Sequence, residues 1–258
     1  MTGAIIGDVV GSVYEFNNIR TKNFPLITKN SKFTDDTIMT IALMEWLLTD
    51  PKDSPVKYMQ KWGRKYPSSY GGSFAVWLRE KNPQPYYSFG NGSAMRISPV
   101  AYAAKNPADL IELTTRATVV SHDHPEGLKG AIVTAECIWL ALQGKSKEVI
   151  KDHAISWYPE IDNFDYEDLR ANYYFNETCQ NTVPQAIYCF LISKDFEDCV
   201  RTSISIGGDS DTLAAISCSI AGAFYGVPLK IERMCMTKLT SEMKRIINEF
   251  RNKYGRQG

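Results

Sequence analysis

The sequence predicts an all-α fold in one domain that covers residues 1–258. Apolar residues recur at helical spacing along most of the chain, and many of these runs follow a residue type that favours a helix start. Alternating strand-like patterns are short, and the Asn91-Gly92 pair lies in a loop and not between two of them. The length suits one large domain, and no stretch has the composition of a linker.

Six segments combine a helix start or stop signal with an apolar face. Serine, threonine, asparagine and aspartate favour the N-cap position, proline favours the first turn, and glycine favours the position after the last turn. The segments begin at Ser54-Pro55 with a stop at Gly63, at Asn106-Pro107, at Leu128 with a stop at Gly144, at Val183-Pro184, at Asp195 with a stop at Gly207-Gly208, and at Thr240.

Small residues predict close packing between two further helices. Gly3, Gly7 and Gly11 recur every four residues, so they share one face of a helix through residues 2 to 14. A second small-residue helix runs from Leu213 to Tyr225. Glycine weakens a helix by roughly 1 kcal/mol relative to alanine, which favours a packing role over chance. A glycine-rich loop is the alternative for the first segment.

Charge and cysteine content exclude several classes of protein. The 29 basic and 29 acidic side chains balance, which disfavours nucleic acid or an anionic membrane as the main partner. The six cysteines show no C-x-x-C spacing, and several fall in apolar helical runs, so we expect buried, reduced thiols and a cytoplasmic protein. No signal peptide or membrane-spanning stretch is expected.

Two acidic clusters stand directly before apolar helices. Taken alone, each is typical of a helix cap, because acidic residues stabilise helix N-termini by about 0.3–1 kcal/mol. Together they supply carboxylate and hydroxyl oxygens, which suit magnesium, manganese or calcium. Four carboxylates would repel one another unless cations lay between them, and two ions about 3.5–4 Å apart would neutralise them. The expected ligands are Thr34, Asp35, Asp36, Asp209, Asp211 and Thr212.

Three further elements carry candidate functional residues. Glu15 follows the glycine-faced helix and is either a general base or a solvated helix-end residue. The loop Gly90 to Arg96 has glycines that leave backbone N–H groups free to face an anion, although a tight loop before a helix is equally consistent. The segment Ser121 to His124 indicates either a substrate contact or a capping loop, and no third ligand supports a histidine-bound metal.

These elements, in this order, resemble the ADP-ribosylglycohydrolase family from Gly3 to about Gly226. The resemblance implies an orthogonal bundle of many helices with a dinuclear magnesium site at the six oxygen ligands above. It implies that Asn91, Gly92, Ser93 and Met95 hold ADP-ribose, and that Ser121 and His122 form another substrate loop. Glu15 falls where the serine-type members place a mobile catalytic glutamate. Serine at position 210, where many members have threonine, is a departure that need not touch metal.

The resulting expectation is a magnesium-dependent hydrolase that cleaves the glycosidic bond between ADP-ribose and an acceptor. Manganese is a substitute for magnesium, and Glu15 or one of the aspartates Asp35, Asp36 and Asp209 acts in catalysis. The stretch from Gly11 to Glu15 favours an O-linked, serine-type acceptor slightly over arginine. A monomer acting on ADP-ribosylated protein is expected. Two alternatives stay open: a dinuclear-metal phosphohydrolase, and a protein that binds ADP-ribose without catalysis.

Overall fold

The computed structural model describes residues 1–68 and 70–255, and in these ranges the chain is built from helices. Its one β-bridge is an isolated pair between Gly90 and Thr178, and no strand forms in the part described. The all-α prediction is therefore confirmed.

Most helices follow one another through short connections, with longer loops at residues 12–34 and 80–91 and single 3-10 turns at Pro159–Asn163 and Cys179–Asn181. In chain order they are α1 (Gly3–Gly11), α2 (Asp35–Thr49), α3 (Val56–Lys65), α4 (Gly72–Arg79), α5 (Gly92–Met95), α6 (Ser98–Ala103), α7 (Pro107–Val119), α8 (Pro125–Leu142), α9 (Lys147–Trp157), α10 (Tyr166–Asn172), α11 (Val183–Ile192), α12 (Phe196–Ser205), α13 (Ser210–Phe224), α14 (Leu229–Met236) and α15 (Ser241–Tyr254).

Three of the predicted N-caps are confirmed by hydrogen bonds. The side chains of Asn106, Asp195 and Thr240 each accept from a backbone N–H three residues further on, at the starts of α7, α12 and α15. These bonds satisfy N–H groups that the first helical turn leaves without a partner.

Other boundaries differ from the prediction, for local reasons. Helix α3 continues through Gly63, because that glycine makes room for a neighbour: a Cβ there would lie 2.5 Å from the Leu78 side chain. Helix α8 begins at Pro125 and not at Leu128, since proline fits the first turn and His124 accepts from the Glu126 N–H. Helix α1 ends at Gly11, and the following Ser12 hydroxyl donates to a carbonyl in the last turn.

The glycine face of α1 packs directly on the backbone of α13. A Cβ at Gly3 would lie 1.9 Å from the Cys218 carbonyl oxygen, and one at Gly7 would lie 2.1 Å from that of Ala214. Real side chains never approach backbone so closely, so the predicted packing role of the glycines is confirmed. The contact brings the end of α1, and Glu15 beyond it, beside the start of α13.

Helix α13 lies at the centre of the bundle and is buried from Ser210 to Gly222. It packs on α1, α8, α11 and α12, and the buried apolar side chains form a contiguous core, which supports our proposal of one domain over 1–258. All six cysteines are buried and unpaired, as expected. Among the described helices, none is long and apolar enough to cross a bilayer.

Candidate active site

The two acidic clusters meet where α2 and α13 begin. Thr34 precedes α2 and Asp209 precedes α13. The Thr34 hydroxyl lies 3.3 Å from Asp211 Oδ2, and the Thr212 hydroxyl lies 3.4 Å from Asp36 Oδ2. Side chains about 176 residues apart in sequence therefore share one site.

The turn before α13 depends on two glycines with left-handed backbone conformation. Gly207 and Gly208 have φ angles of +73° and +72°, which side chains other than glycine rarely adopt. Asn18 fixes this turn by pairing with Gly208 twice: its amide donates to the Gly208 carbonyl at 2.8 Å, and the Gly208 N–H donates back at 2.7 Å. The segment that carries Glu15 is thereby tied to the segment that carries Asp209.

The carboxylates at these two helix starts crowd together with those of Asp8 and Glu15. One oxygen each of Asp8, Asp36 and Asp211 lie within 4.8 Å of one another, and the same holds for Glu15, Asp209 and Asp211. Asp36 Oδ1 is buried and has no hydrogen-bond partner among the described residues. Buried oxygens without a donor are rare and costly, so this arrangement fits an oxygen-ligated cation.

The crowding shifts the acidity of the whole group. Burial, followed by the negative charges of Asp209 and Asp35, raises the pKa of Glu15 to about 7. Burial also raises the pKa of Asp35 to about 7. The pKa values of Asp36 and Asp211 lie well above the usual range, first because of burial and then because of neighbouring carboxylates. Such shifts are typical of functional sites.

The loop at Asn91 is close to the acidic cluster but its residues face different ways. Asn91 lines the cleft, and its amide nitrogen donates to Asp209 Oδ2 at 2.7 Å. Gly92 and Met95 also line the cleft. The Ser93 side chain instead lies beneath the loop, where its hydroxyl donates to the Gly127 carbonyl at 2.7 Å. Ser93 thus supports the loop, and its hydroxyl does not face the cleft.

The two histidines of the Ser121 loop have separate roles. His124 is the N-cap of α8, whereas His122 is buried and lines the cleft. Arg96 donates to the Ser121 hydroxyl at 2.9 Å, and that hydroxyl forms a hydrogen bond of 2.9 Å with His122 Nδ1. The other ring nitrogen, Nε2, lies beside Gly92. Burial, and then the Arg96 charge, hold the pKa of His122 well below its usual range.

A cleft of about 460 Å³ opens above these groups, a volume suited to a nucleotide-sized ligand. Acidic side chains form part of its lining, and aromatic rings form another part. The acidic residues are Glu15, Asp35, Asp36, Glu177, Asp209 and Asp211, and the aromatic residues are Phe74, Tyr86, Tyr87, Phe89 and His122. Of the predicted site residues, Thr34, Ser93 and Ser121 lie behind the lining.

Sequence reasoning missed several residues of this site. Asp8 is fully buried within the acidic cluster, and its one signal was a charge inside an otherwise apolar run. Glu177 lines the cleft and its carbonyl accepts from the Asn91 N–H at 2.7 Å. Tyr86 and Tyr87 line it as well. Nothing in their local sequence distinguished these residues from ordinary loop positions.

The helical fold and the oxygen-rich cleft define the class of protein. The family model of ADP-ribosylglycohydrolase matches residues 1–257. The chain therefore belongs to the ADP-ribosylglycohydrolase family and is an enzyme of the ADP-ribosyl-acceptor glycohydrolase type.

Two relatives agree with this assignment, and a solved structure shares the fold. The ADP-ribosylhydrolase ARH3 of Mus musculus is 27% identical over 91% of this chain and 86% of its own length. The ADP-ribosyl-[dinitrogen reductase] glycohydrolase of Rhodospirillum rubrum is 25% identical over 95% and 90%. A solved ADP-ribosylglycohydrolase-related protein complex shares the fold, with a TM-score of 0.73, 24% identity, and coverage of 98% of this chain and 95% of that chain.

Proposed function

We propose that the chain is a magnesium-dependent hydrolase that releases ADP-ribose from an O-linked acceptor on a protein. The observation that carries the proposal is the meeting of two acidic helix starts at one wall of a nucleotide-sized cleft, where Asp36 Oδ1 has no hydrogen-bond partner among the described residues. Family membership supplies the substrate class.

The donor set fits two magnesium ions. The proposed ligands are Thr34, Asp35, Asp36, Asp209, Asp211 and Thr212, and all of them offer oxygen. Bound ions would supply Lewis acidity and orient the ribose diol and a water molecule. Because burial raises the pKa values of Asp36 and Asp211, the ions would bind in competition with protons. Manganese is the expected substitute.

Glu15 is the proposed general acid or base. Its carboxylate is close to those of Asp209 and Asp211, and its pKa of about 7 lets it hold or release a proton near neutral pH. Asn91 holds Asp209 in place through its amide, and the His122 ring lines the cleft beside the Asn91 loop. Tyr87 and Phe89 offer partly exposed aromatic surface for stacking a nucleobase.

The O-linked acceptor is favoured by the chemistry at Glu15. A serine oxygen leaves poorly unless it is protonated. A carboxyl group with a raised pKa beside the bond therefore contributes more to cleavage of a serine linkage than to cleavage of a guanidine linkage. We further propose that the enzyme acts as a monomer in the cytoplasm, on ADP-ribosylated protein.

The test is a panel of peptides that carry ADP-ribose on serine or on arginine, assayed for release of free ADP-ribose with and without a chelator. The expected result is faster release from the serine-linked peptide, complete loss on chelation, and recovery with magnesium or manganese. Full activity after exhaustive metal removal would contradict the metal-dependent mechanism, and cleavage of the arginine linkage alone would contradict the acceptor assignment.

Two alternatives are separated by the same assay. Release of inorganic phosphate in place of ADP-ribose would indicate a phosphohydrolase built on the same oxygen-rich site. Binding of ADP-ribose without release from any peptide would indicate a non-catalytic binding protein.

A further inference from the structure

Asp8 is a buried carboxylate that the proposed chemistry does not use. It lies on α1, has no solvent exposure, and faces the start of α2. Four donors reach it from two threonines. Its Oδ1 accepts from the Thr34 hydroxyl at 2.7 Å, and its Oδ2 accepts from the Thr34 and Thr37 backbone N–H groups at 3.0 and 3.1 Å and from the Thr37 hydroxyl.

These bonds replace the usual cap of α2. In a capped helix the N-cap side chain accepts from the N–H three residues later. Thr34 occupies the N-cap position but makes no such bond, and the Thr37 N–H goes to Asp8 instead. A side chain from another helix thus satisfies the first turn, which leaves the Thr34 hydroxyl available for a second task.

The same bonds set the direction of the Thr34 hydroxyl. That group has one proton and two nearby acceptors, Asp8 Oδ1 at 2.7 Å and Asp211 Oδ2 at 3.3 Å. The shorter and better bond takes the proton, so the proton points to Asp8. The oxygen lone pairs then remain free toward the acidic cluster, where a cation would need them.

Hydrogen bonds already occupy most of the Asp8 carboxylate. Three donors fill Oδ2, and Oδ1 accepts from the Thr34 hydroxyl, which leaves one lone-pair site on Oδ1. Asp36 differs, since its Oδ1 lacks any partner among the described residues. Distance alone would group the two carboxylates together as ligands. Their hydrogen bonds distinguish Asp8, which accepts four donors, from Asp36, whose Oδ1 accepts none among the described residues.

We propose that Asp8 is a positioning residue that caps α2 from outside the helix and orients the Thr34 hydroxyl as a metal ligand, without binding the metal itself. The orientation rests on the proposed function, because it requires a cation at Thr34. The capping does not, because it concerns the metal-free protein. Partners that orient a ligand typically change metal affinity by about 10–100-fold when they are removed.

The first experiment is calorimetric titration of the metal-free protein with magnesium chloride. Asp8→Asn keeps the side-chain shape but must turn an NH₂ group toward Thr34 or Thr37. We expect affinity to fall about 10–100-fold with an unchanged number of bound ions. Loss of one ion from the stoichiometry would make Asp8 a ligand and overturn the proposal, and so would wild-type affinity.

A double-mutant cycle distinguishes orientation from general damage. Thr34→Val removes the hydroxyl through which Asp8 acts, whereas Thr34→Ser keeps it. We expect Asp8→Asn to weaken magnesium binding strongly in the Thr34→Ser background. In the Thr34→Val background it should cause little further loss of affinity. Equal losses in both backgrounds would show that Asp8 does not act through this hydroxyl.

Hydrogen exchange on the wild-type, metal-free protein tests the capping without any variant. The Thr34 and Thr37 amides should be protected as strongly as amides in the middle of α2. Fast exchange at both would overturn the capping, whatever the metal data show. A wild-type protein that binds no divalent ion would overturn the orientation together with the proposed function, while the exchange experiment still decides the cap.

Discussion

Two groups of helix starts in this protein use the same residue types for different purposes. At α7, α9, α12 and α15 the N-cap side chain accepts a backbone N–H of its own first turn. At α2 and α13 the N-cap residue makes no such bond. The capping residues are Asn106, Ser146, Asp195 and Thr240, and the residues that do not cap are Thr34 and Asp209.

The difference comes from a third partner contributed by another part of the chain. Asp8 accepts from N–H groups at the start of α2, whereas at the start of α13 the Asp209 side chain accepts from the Asn91 amide in place of an N–H of its own helix. A helix start with an outside partner can turn its own oxygen toward a ligand. We therefore expect the acidic residues at the starts of α2 and α13 to act as ligands and the aspartate at the start of α12 to act as a cap, and the predictions below test this rule.

The largest effect is expected from removing a proposed metal ligand at the start of α2 or α13. Asp209→Ala and Asp35→Ala should each reduce ADP-ribose release by more than the 10–100-fold typical of losing an outer partner. Magnesium titration should show weakened binding in both. The matched control is Asp195→Ala, an aspartate before α12 that caps its own helix. A variant at 35 or 209 that still binds two ions would place its aspartate among the caps.

The next largest effect is expected at Glu15. Glu15→Gln removes the proton that a pKa of about 7 makes available, and turnover should fall about 10²-fold. ADP-ribose should still bind, because the change preserves size. The measurement compares kcat on serine-linked peptides with ADP-ribose affinity in the same variant. Wild-type turnover in the variant would reduce Glu15 to a helix-end residue at the edge of the cleft.

A smaller effect is expected on ligand binding at the Asn91 loop. A Cβ at Gly92 would already lie 3.2 Å from His122 Nε2, so the side chain of Gly92→Leu must extend into the cleft. ADP-ribose should raise the melting temperature of wild-type protein through binding to the native state, and the variant should lose that shift. Its unliganded melting curve should stay cooperative. A shift equal to that of wild type would show that the ligand lies elsewhere.

The sequence revealed the ligand types but not their neighbours. Acidic residues before apolar helices are visible in any sequence, yet the pairing of Asp36 with Thr212 depends on packing between α2 and α13. The shared oxygen donors suggested that the two clusters meet, and family resemblance supported it. The glycine spacing on α1 did predict a close helix contact, because residues four apart share one face of a helix.

Side-chain direction in loops could not be predicted. Ser93 and Ser121 stand in the right loops, but their hydroxyls turn inward, to Gly127 and to His122. Gly63 was predicted to end a helix, but it lies inside α3, where its lack of a side chain makes room for Leu78. In each case the deciding partner is distant in sequence, so no local pattern carries the information.

The acidity of the cluster predicts how the stability of the metal-free protein depends on pH. The pKa of Glu15 rises from 4.5 to about 7 on folding, and that of Asp35 rises from 3.8 to about 7. At pH values between the lower pKa of the unfolded chain and the pKa of about 7 in the folded protein, the folded state holds protons that the unfolded chain has released. These two groups therefore favour folding at low pH and lose that contribution as the pH rises through 7.

Thermal melts of chelator-treated protein from pH 5.5 to pH 8 should show this fall, and added magnesium should stabilise the protein more at pH 8 than at pH 5.5. The double variant Glu15→Gln with Asp35→Asn should have a flatter profile. A melting temperature that rises steadily toward pH 8 without metal would contradict the assigned acidity.

The smallest expected effect is a difference in sign between a capping and a clustered aspartate. Asp195→Ala removes a cap and should lower the free energy of unfolding by about 1 kcal/mol, roughly 2–4 °C in melting temperature, with unchanged turnover. Asp36→Asn replaces a buried carboxyl group whose pKa lies well above the usual range and whose Oδ1 has no hydrogen-bond partner among the described residues. Because the cost of ionising that group disappears, the variant should raise the melting temperature of metal-free protein at pH 8 while turnover is lost. If both substitutions destabilise the metal-free protein, Asp36 belongs with the caps, and the rule that separates the two groups of helix starts is wrong.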